Sequence, residues 1–306
     1  MTVRELIEPL YERFLRMQCR HVPNHVALIL DGNRRYARMV GIDTAGGHRA
    51  GADNTEKMLD WAHELGIRHI TLYTFSTENF SRSKDEVQYL FDMFKEKFTG
   101  VMKDERVKRY RIRVQMVGDR SLLPDDLREV IDAAEASTRD YDGFCLNIAL
   151  AYGGRNEIVL AAREILTEVA DNGLAPDTID VHMVERHLHG GKGIPPVDLI
   201  VRTGNEYRTS NFLPWLASGH ESAVYFCAPY WPQFRKIDLM RAVRTYDQRV
   251  TVKTGKKPLC KKPDRVLYFL PVTDQVMIGN DGEKGERCNL APYNSGPAGG
   301  YLPAGT

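Results

Sequence analysis

Three short stretches collect side chains that could handle phosphate: "DGNRR" at residues 31–35, "STENFSR" at 76–82 and "RTGNEYRTS" at 202–210. Arginine presents a planar fork of donors that matches phosphate oxygens, and hydroxyl, amide and unpaired backbone N–H groups complete such a cradle. The arginines just after the strand ends include Arg35, Arg82, Arg202 and Arg208, with Gly32, Asn33, Ser76, Asn79 and Ser210 beside them. A carboxylate such as Asp31 in that company would repel phosphate unless a divalent cation bridged the two. Phosphate-bound Mg²⁺ takes only one or two carboxylates, so Asp31 reads as a magnesium ligand. The groups around Asp31 and around Arg202 are far apart in sequence, which suggests two anions rather than one. Other readings stand beside these: Asp31 as a helix cap, Asn33 as a turn residue and Arg202 in structural ion pairs.

These stretches converge only if the elements before them bring them together. Ala27 to Leu30 form an apolar run that reads as a strand buried on both faces. Strand-like segments follow at 69–75, 111–118, 144–152, 198–203 and 222–228, making six with 26–31. Between them lie helix-like segments at 48–65, 84–104, 124–138, 155–171, 179–189 and 235–249. The alternation predicts an α/β fold with a mostly parallel six-stranded sheet and crossover helices. In such a sheet the residues after each strand share one edge, which is where ligands bind. An amphipathic helix built on Leu6, Ile7, Leu10, Tyr11, Phe14 and Leu15 precedes this body and is expected to pack against it. Three regions result: a helix in 1–21, the α/β body in 22–252 and a tail in 253–306. The tail is first basic, then rich in Gly and Pro, with "RVLYFLPV" as a candidate strand and a disordered end.

Composition narrows the possibilities. The 306 residues carry 42 basic and 41 acidic side chains, so nothing points to nucleic acid and any anion site is local. Five widely separated cysteines show no C-x-x-C and predict reduced thiols in a cytoplasmic protein. No apolar run approaches the ~18 residues of a membrane span, although the basic stretch after residue 253 could touch anionic lipid. "DDLRE" at 125–129 follows Pro124 and reads as the acidic first turn of a helix. "HGGKG" at 189–193 lacks phosphate-loop spacing, and His187 and His189 have no metal-ligand pattern around them. A dinucleotide fingerprint does not follow the first strand.

In order along the chain stand "DGNRRYA", "GHRAG", "TLYTFSTENFSR", "VGDRSLLP", "AYGGRNEI", "DLIVRTG", "RTSNFLPW" and "YWPQF". Over about residues 22–250 the sequence resembles the cis-prenyltransferases, the undecaprenyl diphosphate synthase family. The resemblance implies condensation of isopentenyl diphosphate with an allylic diphosphate such as farnesyl or geranylgeranyl diphosphate, using Mg²⁺ and no other cofactor. It implies that Asp31 binds Mg²⁺ with Glu221, and that Gly32, Asn33, Arg34, Arg35 and His48 hold the allylic diphosphate, with Tyr36 where many members have Trp. It places Ser76, Thr77, Glu78, Asn79, Phe80 and Arg82 on a loop over the site, with Asn79 assisting proton removal. Arg202, Arg208, Thr209 and Ser210 match the isopentenyl diphosphate site. The face of 84–104 with Val87, Leu90, Phe91, Phe94 and Phe98 is either the wall of a product tunnel or an ordinary core face. The family also implies a homodimer, peripheral membrane contact and a product serving as a lipid glycan carrier precursor. Lys253-Thr254-Gly255 is a poor counterpart of the family's C-terminal Arg-x-Gly. A non-catalytic partner subunit and an enzyme with an unusual acceptor therefore remain as alternatives.

Overall fold

The computed structural model describes residues 3–173, 175–218 and 222–253. Its centre is a sheet of six parallel strands: β1 (His25–Ile29), β2 (His69–Ser76), β3 (Ile112–Val117), β4 (Phe144–Tyr152), β5 (Leu199–Arg202) and β6 (Ala223–Phe226). The spatial order is β3-β4-β2-β1-β5-β6. Every residue of β1 is buried, as its unbroken apolar run requires. Its side chains alternate between two cores. Val26 and Leu28 join a large cluster with Phe75, Phe91, Phe94 and Trp231, while Ala27 and Ile29 join a smaller one with Tyr73, Tyr152 and Phe212.

Ten helices connect or flank these strands among the described residues: α1 (Val3–Gln18), α2 (Asn33–Val40), α3 (Thr44–Leu65), α4 (Lys84–Val101), α5 (Glu105–Arg109), α6 (Asp125–Thr138), α7 (Gly154–Asn172), α8 (Val181–His187), α9 (Pro214–Ser218) and α10 (Lys236–Lys253). The sequence pattern placed six of them and α1 within a few residues. α2 and α9 fall outside the helix-like segments of the sequence, and the segment expected to be one helix over 84–104 stops at Val101 before α5. α3 starts four residues earlier than its apolar pattern, because Asp43 caps it by accepting the Gly46 N–H at 2.7 Å. His48 therefore lies inside the helix and does not cap it.

α1 packs as expected, with fully buried Leu15 against Ile237 and Met240 of α10. Asp125 and Asp126 occupy the first turn of α6 and pair with Arg128 and Lys95, which accounts for "DDLRE". Lys192 of "HGGKG" pairs with Glu135, His187 with Glu168 and His189 with Glu157. Cys19, Cys145 and Cys227 are free thiols. Glu221, the strand expected at 265–272 and the tail after Lys253 lie outside the described residues. Among the described residues no helix is long and apolar enough to cross a membrane.

One polar chain crosses the sheet inside the protein. Gln115 of β3 donates to Asn147 of β4 at 3.4 Å, and Asn147 donates to the Thr71 hydroxyl of β2 at 3.1 Å. His25 of β1 lies 2.7 Å from the same hydroxyl and 2.8 Å from the Pro195 carbonyl. Burial pushes the His25 imidazole down to about 4, so it is neutral.

Candidate active site

The chain leaves β1 toward β2 on one side and returns later as β5 on the other, so the sheet's switch point lies between β1 and β5. Ile29 and Arg202 are register partners across that point, and Asp31 follows two residues beyond Ile29. The topology therefore brings the first and third stretches together. Asp31 Oδ2 accepts from Arg202 Nη2 at 2.8 Å, and Oδ1 accepts from Arg35 Nη2 at 3.1 Å. The backbone of Asp31 is fixed as well: its carbonyl accepts from the Thr203 hydroxyl at 2.7 Å and the Trp231 N–H at 3.0 Å.

Gly32 then turns the chain into α2 with φ of 113°, a conformation that favours glycine. A Cβ at this position would also lie 2.8 Å from the Tyr230 ring. No side chain caps α2, so its first N–H groups face the cleft unpaired by a cap. α2 sits hard against α3, where a Cβ at Gly47 would come within 2.5 Å of the Asn33 carbonyl and one at Gly51 within 2.5 Å of Asn33 Oδ1. This close approach explains both glycines of "GHRAG". It also aims His48 between them at the site, where its Nε2 lies 3.1 Å from Glu86.

Glu86 is a functional candidate that sequence reading did not select. It accepts from Arg82 at 2.9 Å, meets His48 and lies 3.9 Å from Arg34, joining the first and second stretches to "GHRAG" on the first turn of α4. Burial pushes its carboxyl up, but the His48 hydrogen bond and the charges of Arg82 and Arg34 outweigh this and hold it low. Burial lowers the His48 imidazole despite Glu86. The only sequence signal was its place four residues after Arg82, one helical turn away.

A cleft of about 320 Å³ opens over these groups, lined by Asp31, Gly32, Asn33, Arg34, Arg35, Arg38, His48, Arg82, Glu206 and Arg208 with Leu30 and Thr74. Five arginines face two carboxylates there, so the cleft is a local cationic site in a nearly neutral chain. Asn33 Oδ1 is buried without a partner. Arg202, at 3% exposure, lies beneath the cleft and donates to Asp31, the Arg208 carbonyl and Ser210 Oγ. It is the buried counter-ion that holds Asp31 and shapes the 208–210 turn.

The second stretch forms a short 3₁₀ turn at Thr77–Ser81. Asn79 Oδ1 accepts the Ser76 N–H at 3.1 Å, so its acceptor is engaged in the turn and its amide N–H donors are left for other partners. Phe80 lies edge-on to Phe75 at 4.9 Å. Glu78 accepts from Asn211 at 3.4 Å. Asn211, in the left-handed region at φ of 59°, also accepts the Arg155 N–H at 2.9 Å, while its carbonyl accepts the Gly154 N–H. It thereby ties the 208–210 turn to the 76–82 turn and to the start of α7. Thr77 packs on Gly153, Tyr36 is half-buried on α2, and Thr209 is exposed. Leu90, Phe91, Phe94 and Phe98 of α4 are buried in the large core cluster, with Val87 packed at its edge.

A divalent cation fits this donor set. Asp31 is a single, partly exposed carboxylate at the lip of an arginine-rich cleft, the combination expected where phosphates supply the remaining oxygens. Among the described residues no group of three or more metal-ligating side chains forms an all-protein cage.

Similar sequences and the same fold occur in known proteins. Residues 29–253 match the family described as "Putative undecaprenyl diphosphate synthase". The chain is 50% identical over 239 residues to a tritrans,polycis-undecaprenyl-diphosphate synthase (geranylgeranyl-diphosphate specific) of Halobacterium salinarum, covering 78% of this chain and 79% of the relative. A protein of the same description from Methanosarcina mazei is 46% identical over 266 residues, or 86% and 89% of the two chains. The crystal structure of lavandulyl diphosphate synthase from Lavandula x intermedia in complex with dimethylallyl diphosphate superposes with a TM-score of 0.70 at 36% identity, covering 74% of this chain and 95% of that one. With half of its residues shared over most of its length, and the parallel sheet and cationic cleft in the matching region, this chain belongs to the undecaprenyl diphosphate synthase family of cis-prenyltransferases.

Proposed function

We propose that the protein condenses isopentenyl diphosphate repeatedly with geranylgeranyl diphosphate, and that the cleft at the β1–β5 switch point is where both diphosphates bind. The observation that carries this reading is Asp31, held by Arg35 on one oxygen and Arg202 on the other amid five cleft arginines. The geranylgeranyl primer is supported by the descriptions of the relatives from Halobacterium salinarum and Methanosarcina mazei.

In this reading the allylic diphosphate lies on Gly32, Asn33, Arg34 and Arg35 at the open start of α2, with His48 behind it. The neutral imidazole can donate one N–H to a phosphate oxygen. Isopentenyl diphosphate lies toward Arg208, Thr209 and Ser210, whose turn Arg202 supports from below. Asp31, with Glu221 as the family resemblance implies, would hold the cation, which would supply charge neutralisation to the leaving diphosphate. The new bond forms between C4 of isopentenyl diphosphate and C1 of the primer, the C1–O bond breaks with its electron pair going to diphosphate, and a proton leaves C2. Arginines 34, 35 and 82 stabilise the leaving charge, and holding both substrates in place supplies much of the rate. Ser76 and Asn79 order the turn over the site. With its amide oxygen engaged by Ser76, Asn79 serves as a donor to substrate oxygen in this conformation, and proton removal through it requires the turn to open. Tyr36 on α2 and Thr77, Glu78 and Phe80 on the 77–81 turn are also assigned to substrate binding in this reading.

The catalytic body spans 22–252, the active form is a homodimer, and the product is a carrier-lipid precursor in this reading. The deciding experiment incubates purified protein with Mg²⁺, labelled isopentenyl diphosphate and, separately, dimethylallyl, geranyl, farnesyl or geranylgeranyl diphosphate. A ladder ending near one length, most efficient from geranylgeranyl diphosphate and abolished by EDTA, is expected. Elongation with none of the primers would shift the assignment to a partner subunit or an unusual acceptor.

A further inference from the structure

Two irregularities interrupt the pairing of β2 with β4 near their carboxyl ends. Tyr73 pairs with Ala149 and Phe75 with Leu150, so Thr74 is an extra residue of β2 without a register partner. Ser76 then pairs with Tyr152, which leaves Ala151 over in β4 at φ of 50°. In a regular strand Tyr73 and Phe75 would share a face. Here the bulge turns Phe75 into the large core cluster and leaves Tyr73 in the smaller one with Phe212. Tyr73 is buried there, its ring parallel to that of Phe212 at 4.5 Å and edge-on to that of Tyr152 at 5.8 Å. A phenylalanine would fill the same stack, so packing does not account for the hydroxyl. That hydroxyl lies 3.2 Å from the Ser210 carbonyl and 3.5 Å from the Tyr152 carbonyl, and its single proton favours the nearer acceptor. Burial pushes the phenol's pKa up, so the group stays a donor.

Ser210 is a residue that has to be held. Its φ of 48° lies in the left-handed region, which a serine keeps only where its surroundings impose it. Arg202 secures the side chain through Oγ at 2.6 Å, and Tyr73 secures the carbonyl, which fixes the plane of the 210–211 peptide. We propose that Tyr73 is a positioning residue of the isopentenyl diphosphate subsite, its hydroxyl presetting the turn at Ser210 so that the donors of 208–210 are already aimed when the diphosphate arrives. Tyr73 touches no substrate in this arrangement and acts through Ser210. A turn ordered in advance has less freedom to lose on binding. The loss of the hydroxyl therefore falls on the affinity for isopentenyl diphosphate and spares the primer, whose donors stand on α2. The inference rests on the placing of the two diphosphates under Proposed function.

The test is Tyr73→Phe in the full chain with Mg²⁺. Isopentenyl diphosphate and geranylgeranyl diphosphate are each titrated alone by calorimetry, where no condensation occurs, and both are then varied in the elongation assay. Tyr73→Phe is expected to raise Kd and KM for isopentenyl diphosphate about five- to tenfold, with kcat and both constants for the primer within about twofold of wild type. Leu15→Val, a cavity variant between α1 and α10, controls for lost stability: it is expected to lower the melting temperature and leave all of these constants alone. An unchanged affinity for isopentenyl diphosphate in Tyr73→Phe would overturn the proposal. So would an equal rise for both substrates, or the same rise in Leu15→Val, since the hydroxyl would then serve only the fold. A wild type that neither binds isopentenyl diphosphate nor elongates a primer would overturn the assignment of the cleft and this inference with it. An active wild type beside an unaffected Tyr73→Phe would overturn the inference alone.

Discussion

Asp31 concentrates the chemistry in two hydrogen-bonded oxygens, and its removal acts on both the site and its support. Asp31→Ala is expected to lower turnover by on the order of 10³ or more. It also strips a charge partner from Arg202, which is 3% exposed but keeps the Arg208 carbonyl and Ser210. The stability loss should therefore be only about 1–3 kcal/mol, read by urea denaturation beside the activity assay. Turnover at the wild-type level would remove Asp31 from the mechanism. Arg208 is the contrasting case, since its guanidinium is 65% exposed and pairs only with Glu206 among the contacts described. Arg208→Ala should leave stability alone and weaken isopentenyl diphosphate binding by about 1.5–3 kcal/mol, a rise in its Michaelis constant of roughly ten- to a hundredfold. An unchanged constant would move Arg208 out of that site. The sequence carried Asp31, Arg35, Arg82 and Arg208 to the same cleft correctly. That Arg202 would meet Asp31 from beneath could not be read from spacing, because which carboxylate a strand-end arginine meets depends on which strand lies next to it.

Two elements set the cleft's dimensions, and neither is visible as hydrophobic periodicity. α2 reads "NRRYARMV", too short and polar for a clear apolar stripe, yet Gly32 and the flat faces of Gly47 and Gly51 allow it to seat on α3. Gly51→Ala would drive a methyl group into the Asn33 side chain. The expected cost is about 1–3 kcal/mol of stability from overpacking, together with a weaker allylic substrate. Thermal melting and the primer's Michaelis constant measure the two effects, and a silent variant would show that α2 can shift freely. The second element is the 203–213 loop, which carries left-handed residues at Asn205, Ser210, Asn211 and Leu213. Asn211→Gly keeps that backbone conformation accessible while removing the bonds to Arg155 and Glu78. A several-fold rise in the isopentenyl diphosphate constant, corresponding to about 1 kcal/mol, is expected with little change in melting temperature. Equal kinetics would mean that the two turns are positioned independently.

Across the whole molecule, the alternation of strand and helix patterns was enough to read a six-stranded parallel sheet. It was not enough to read the order β3-β4-β2-β1-β5-β6, which depends on contacts between distant segments. The buried chain from Gln115 to His25 is one such contact, and it gives the fold an acid limit. Folded His25 stays neutral down to about 4, while the unfolded chain takes up the proton near 6.5. Its contribution is complete above pH 6.5 and is lost as pH falls toward 4, amounting to about 2 kcal/mol at pH 5. Denaturation at pH 7 and pH 5 should show that loss in wild type and a correspondingly shallower slope in His25→Asn; identical slopes would place the acid sensitivity elsewhere. The same chain bears on how the protein can change over generations. Gln115, Asn147, Thr71 and His25 sit on four adjacent strands and satisfy one another in sequence, so an apolar replacement at any one strands its neighbour's donor or acceptor in the dry interior. Four residues spread over some 120 positions of the chain thus behave as a single heritable unit, open to replacement as a set and resistant to replacement one at a time.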